Sequence, residues 1–330
     1  MSPRIYQAIT VGALVALVLI VVTGGAVRLT GSGLGCSDWP GCSADRFVPA
    51  SGFHDWMEFG NRLVTAAVSA FVIVAVLTAA LRTPVRRDLV WLSVGLVVGV
   101  VAQILLGAVV VYSDLNPVLV QGHFIVSMLL VLDAVVLVHR ARLPDERSPD
   151  RPSRASPVPD DVRLWARIMV GLTAATTVVG TAVTGAGPHS GQNDGKFVQR
   201  LDVAVRDVAR VHSSLALLLL GAVLFTVWRL RRSPVGTGVL ARAELVLTAV
   251  VLQGVVGYTQ YFTKVPPLLV GLHILGVSVL WVAVLWFLLG LSPAVTDPPR
   301  LAHAHQPADA SNGAELGAGR GSGADLVTER

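Results

Sequence analysis

The stretch Gln103-Ile-Leu-Leu-Gly107, followed by Pro117 and His123, returns later in the chain as Gln253-Gly-Val-Val-Gly257, followed by Pro267 and His273. All four matched positions are separated by 150 residues. Working outward, Gly24-Gly-Ala-Val27 is similar to Gly180-Thr-Ala-Val183, and Glu58-Phe-Gly-Asn61 falls where Val208-Ala-Arg-Val-His212 falls. One such match could be chance. Several in register, with matching hydropathy, describe a chain built from two like units.

The chain has 330 residues, of which 53% are hydrophobic and only 14% charged. A soluble domain carries about 25% charged residues, so an ordinary soluble protein and a disordered one are both excluded. Ile5–Val27 contains no charged residue and is long enough to span a bilayer. Seven further spans follow at about 58–81, 89–112, 117–138, 165–184, 207–228, 243–262 and 267–290. The expected fold is an all-α polytopic membrane protein, with eight transmembrane helices as two four-helix bundles. Four helices separate the repeats, so the two units share one orientation and form a parallel repeat.

Of the 26 Lys and Arg residues, 18 fall on the side of the N-terminus and eight on the other. Basic residues concentrate on the cytoplasmic side, which predicts a multi-pass protein of the cell membrane with both termini cytoplasmic. The formal charge of +5 therefore reports topology and not nucleic-acid binding. The expected organisation is 1–142 as the first unit, 143–162 as a Pro/Arg-rich cytoplasmic linker, 163–291 as the second unit and 292–330 as a disordered tail.

The eight histidines divide by position. His54 and His189 in outer loops, His139 at an inner helix end, and His303 and His305 in the tail read as solvated side chains. His123, His212 and His273 lie inside apolar stretches, where an ionisable residue is costly and usually functional. His123 is six residues past Pro117 and His273 six past Pro267, about 9 Å into the membrane at 1.5 Å per residue. His212 and His273 belong to alternate helices of one unit, a layout that suits bis-histidine haem ligation. In the first unit His123 has Asn61 opposite instead of a histidine. Glu58 shares the face of Asn61. It could relay protons or hold a polar substrate group, or simply pair with Arg62.

Gln103 and Gln253 read as interhelical hydrogen-bonding groups. Gly24, Gly25, Gly107, Gly180, Gly254 and Gly257 suit close helix packing. Arg28, Arg62, Arg206 and Arg210 stand at outer helix ends, placed either to meet haem propionates or to snorkel. Cys36 and Cys42 flank a Pro40-Gly41 turn in the first outer loop. That side is oxidising, so the pair is compatible with a disulfide.

Together these residues resemble the haem A synthases over about residues 5–291. The features that carry the likeness are the eight spans in two units, the loop cysteines, Glu58-Phe-Gly-Asn61-Arg62-Leu63, and the histidines of spans four, six and eight. The Asn at 61 and the abundance of Arg are similar to the actinobacterial branch. The resemblance implies an oxidoreductase that converts haem O to haem A, oxidising a ring methyl through an alcohol to a formyl group with molecular oxygen. It implies a prosthetic haem b held by His212 and His273, and a substrate haem O at His123 beside Asn61 and Arg62. Glu58 would act in the oxidation, and Cys36 and Cys42 would form the disulfide pair. Implied partners are haem O synthase, an external electron donor, assembly factors of terminal oxidases and membrane lipid. Two other readings compete: a non-catalytic di-haem b electron-transfer protein, and a proton-coupled transporter. The first predicts two bis-histidine haems. The second predicts no haem, and polar residues at the midplane.

Overall fold

The computed structural model describes residues 1–144, 158–189, 191 and 198–291. The apolar stretches form α1 (Pro3–Leu29), α2 (Phe53–Ala80), α3 (Arg87–Tyr112), α4 (Pro117–Arg142), α5 (Asp160–Ala186), α6 (Val205–Arg231), α7 (Thr237–Phe262) and α8 (Pro267–Gly290). All eight are long and apolar enough to cross a membrane. Among the described residues there is no strand. Large apolar side chains such as Trp91, Phe262 and Leu268 lie on the outside, as expected where the solvent is lipid and only the backbone must be satisfied internally.

Several helices run past the spans that hydropathy marks. α2 begins at Phe53, α5 at Asp160 and α7 at Thr237. α6 likewise runs on to Arg231, and the turns added to α5 and α6 carry charges that pair. Arg229 Nε donates to Asp161 at 2.6 Å and Arg231 donates to Glu244 at 2.8 Å. A hydropathy reading ends where apolar residues thin out, whereas a helix continues into the interface while its charges are paired or wet. Residues 145–157 of the expected linker and the expected disordered tail, with His303 and His305, lie outside the described residues.

Helices α1–α4 close a ring of neighbours, as do α5–α8; α8 then packs on α1 and α4, and α4 on α5. The first ring is filled by residues such as Leu17, Val72, Leu96 and Val131, with Trp281 and Leu285 reaching in from α8. The second is filled by Met169, Val223, Val246 and Phe287 among others. Trp281 Nε1 donates to Met128 O at 3.0 Å, so the indole satisfies its donor while joining the rings.

The repeat extends to backbone conformation. Asp114 and Leu115 have φ of 49° and 59°, and Lys264 and Val265 have 63° and 60°. Left-handed backbone is unfavourable for a leucine or a valine, yet each turn repeats the other's hydrogen bonds. Leu115 N donates to Val110 O at 3.0 Å, and Val265 N to Gln260 O at 2.7 Å. These turns set the register of α3 on α4 and of α7 on α8, and so place His123 and His273 at equivalent positions.

Candidate haem-binding sites and the cysteine loop

His212 on α6 and His273 on α8 face each other, with ring centroids 6.2 Å apart and planes at 67°. Thr176 O accepts from His212 Nδ1 at 2.9 Å. A carbonyl can only accept, so Nδ1 carries the proton and Nε2 presents its lone pair. His273 Nδ1 is buried with no protein partner among the described residues. The rings lie against glycines: a Cβ at Gly180 would come within 3.0 Å of the His212 ring, and one at Gly257 within 3.3 Å of the His273 ring. Two imidazoles on opposite sides of one metal, with metal–nitrogen bonds of about 2 Å and ring centres ~1 Å beyond, have centroids ~6 Å apart. No group of three or more His, Cys, Asp or Glu side chains that could hold a bare metal ion occurs among the described residues. The donor set thus suits a metal whose remaining ligands arrive with it, as in a porphyrin.

In the other ring, Gly107 on α3 faces His123, with Cε1 3.5 Å from where a Cβ would stand. His123 Nδ1 is likewise buried and without a protein partner. Gln103 Nε2 donates to His123 O at 3.0 Å, and Gln253 Nε2 makes the equivalent bond to His273 O at 3.0 Å. The glutamines therefore hydrogen-bond between helices as expected, each to the backbone of a histidine. Asn61 on α2 is fixed by α1: Thr23 Oγ1 donates to Asn61 Oδ1 at 2.8 Å. An amide oxygen already engaged in this way is poorly placed to ligate a metal.

The cysteines form a disulfide. Its loop is fastened to α2 by Glu58, which is 5% exposed. Glu58 Oε2 accepts the Cys36 N–H at 2.9 Å, and Oε1 accepts from Arg62 at 2.5 Å. Arg62 Nη1 also donates to the carbonyls of Asp38, Pro40 and Gly41. Glu58 thus pairs with Arg62, but the carboxylate is buried and the pair is part of the loop's anchorage. Gly35 is required by the close approach of the loop: a Cβ there would sit 2.5 Å from His54 O. In unreduced membranes neither Cys36 nor Cys42 should react with a thiol reagent, and both should react after reduction. Two labelled thiols before reduction would contradict the pairing.

Several expectations are corrected. His139 is buried, not solvated, and packs edge-on against Trp286 at 5.9 Å. The helix end on which it sits is covered by α8, which one-dimensional hydropathy cannot show. His54 and His189 are half-buried and bonded, to Ser32 Oγ at 2.9 Å and Val265 O at 2.7 Å. Nothing packs where a Cβ of Gly24 or Gly254 would stand, so those two glycines do not mark tight contacts. Arg28 is engaged by protein: Nε donates to His189 O at 2.7 Å and Nη2 to Thr184 O at 3.1 Å, joining α1 to the segment after α5. Asp133, within α4, was missed by the sequence reading although a carboxylate in an apolar span is itself a signal. It lies over Gly95, where a Cβ would be 2.9 Å from its carboxylate.

Eight membrane-length helices among the described residues, with histidines set into repeated four-helix rings, define a class: polytopic helical membrane proteins built from two like units. The chain belongs to the cytochrome oxidase assembly protein family, COX15-CtaA, whose model matches residues 7–285. It is 33% identical over 132 residues to the heme A synthase of Geobacillus thermodenitrificans, covering 38% of this chain and 40% of the relative. It is 34% identical over 125 residues to that of Geobacillus kaustophilus, covering 36% and 38%. The matched stretch thus spans well under half the length of these relatives.

Proposed function

We propose that this protein is a haem A synthase, an oxidoreductase that takes haem O as substrate and oxidises one ring methyl to a formyl group through the alcohol. The observation that carries this reading is the His212–His273 pair, whose ring centroids, 6.2 Å apart, suit two imidazoles that would hold one haem iron. His123 supports it by occupying the equivalent place in the other ring without a second histidine. In this reading His212 and His273 would hold a resident haem b, which would supply electron-transfer chemistry, and His123 would hold the substrate haem. A haem held at His123 would, with molecular oxygen and electrons from an external donor, supply the oxidising power that amino-acid side chains lack.

The chain's own residues divide the remaining tasks. His123 positions the substrate from α4. Asn61, held by Thr23, keeps an amide at the opposite face without competing for the iron. Glu58 delivers protons from the loop side, and Arg62 holds Glu58 in place. The apolar walls of α1–α4 accept the isoprenoid tail and limit water. The loop side is assigned as the outer face, and both termini as cytoplasmic, from the distribution of basic residues. Residues 1–142 and 163–291 serve as the substrate and haem b units. Haem O synthase is the proposed source of substrate, and terminal oxidase assembly the destination of product.

The test is extraction of haem from the purified protein, expressed with and without haem O synthase. Haem b alone without the synthase, and haem b with haem O, its alcohol or haem A in its presence, is the expected result. Haem b alone under both conditions would favour the electron-transfer reading, and no haem at all the transporter. Asn61→His is expected to convert the bound substrate haem to a six-coordinate low-spin form, read by its absorption spectrum. If the wild type already shows that form, the assignment of Asn61 is wrong.

A further inference from the structure

The carboxamide of Gln103 has a fixed orientation and an unused oxygen. Its Nε2 donates to His123 O and, in a short contact, to Ser127 Oγ. His123 O can only accept, which forces the NH2 end of the amide to face it. Ser127 directs its own proton to His123 O at 3.0 Å, so its oxygen is left to accept from Gln103. Both N–H bonds of the amide are therefore spent. Gln103 Oε1 is turned away from these partners, is shut off from solvent and has no protein donor among the described residues. An unpaired acceptor in such a place is costly, and it lies beside the backbone of the histidine proposed to hold the substrate.

The second repeat does not share this arrangement. Gln253 makes the same bond to His273 O, but Val277 stands at the position of Ser127. Gln253 also lies against Gly276, where any Cβ would come within 2.6 Å of its amide; the first repeat has Val126 there. The glutamine of the first repeat is thus clamped by two acceptors, and that of the second rests on a glycine. The difference separates the proposed substrate site from the proposed haem b site.

We propose that Gln103 Oε1 accepts a hydrogen bond from the hydroxyl group at the base of the substrate's isoprenoid tail, making Gln103 a specificity-determining residue. The inference rests on reading the α1–α4 ring as the haem O site. Haem O carries that hydroxyl where haem b carries a vinyl group, which cannot donate. A site that pairs with a substrate hydroxyl discriminates against an analogue lacking it, because a buried acceptor is then left empty. Both haems would be held by His123; only one would satisfy Gln103.

The experiment titrates haem O and haem b separately into purified protein already carrying haem b at the His212–His273 site, and reads binding by difference absorption. In the wild type haem O should bind more tightly. In Gln103→Leu the preference for haem O should fall about tenfold, through weaker haem O binding, with haem b affinity unchanged. Gln253→Leu should leave the preference intact. Gln103→Met, close in shape and lacking the acceptor, is the second variant if the leucine protein is unstable, and the resident haem b signal reports whether each is folded. Equal weakening of both haems would show that Gln103 only positions His123, and would overturn the proposal, as would unchanged affinities. Failure of the wild type to bind haem O at all would instead remove the functional reading beneath it.

Discussion

Replacing either His212 or His273 with alanine is expected to abolish the low-spin bis-histidine signal of the purified protein. In the proposed reading each imidazole would supply one of the two protein ligands to the haem b iron, in keeping with their 6.2 Å separation. Thr176 O fixes the His212 tautomer and cannot itself replace a lost imidazole. Loss of a bound group that favours the folded state also lowers stability by mass action, so both variants should unfold at lower temperature than the wild type. An unchanged low-spin spectrum in the two single variants would remove the site.

Glu58→Ala should retain haem b and lose haem O conversion by about 10²–10⁴-fold, the usual effect of removing a proton-delivering group, with material arrested at haem O or the alcohol. Alanine also strips the partners from Cys36 N–H and Arg62, so it cannot separate chemistry from loop anchorage. Glu58→Gln can. Its amide oxygen still accepts one of those bonds, but it cannot carry the proton. If proton delivery is the role of Glu58, the glutamine variant loses turnover nearly as fully while the loop stays protected from proteolysis. Normal haem A yield from Glu58→Gln would make the residue a structural anchor only.

Much of the architecture was legible in the sequence because it rests on one-dimensional signals. Spans follow from runs of apolar residues, and the repeat from the Gln103/Gln253, Gly107/Gly257, Pro117/Pro267 and His123/His273 matches. The facing of His212 and His273 followed from their depth and from their being on alternate helices of one unit. What was not legible depends on which surface a neighbour covers. His139 is buried because α8 lies over it. Thr23 holds Asn61 from another helix, 38 residues away in the chain. Cys36 offers a backbone N–H, which no side-chain pattern encodes. The left-handed turns at Asp114–Leu115 and Lys264–Val265 use residues with no glycine to announce them.

The two oxygens of Glu58 hold the cysteine loop from both sides, one through Cys36 N–H and one through Arg62 and the three carbonyls it gathers. Loop position and carboxylate state are therefore linked as two ligands of one equilibrium are linked. Whatever draws Glu58 away loosens the loop, and whatever lifts the loop releases Glu58, by the same free energy in each direction. The loop acts as a latch whose bolt is the acid itself. A thiol reductant on the loop side, acting only on Cys36 and Cys42, would then bear on the state of Glu58 without entering the membrane.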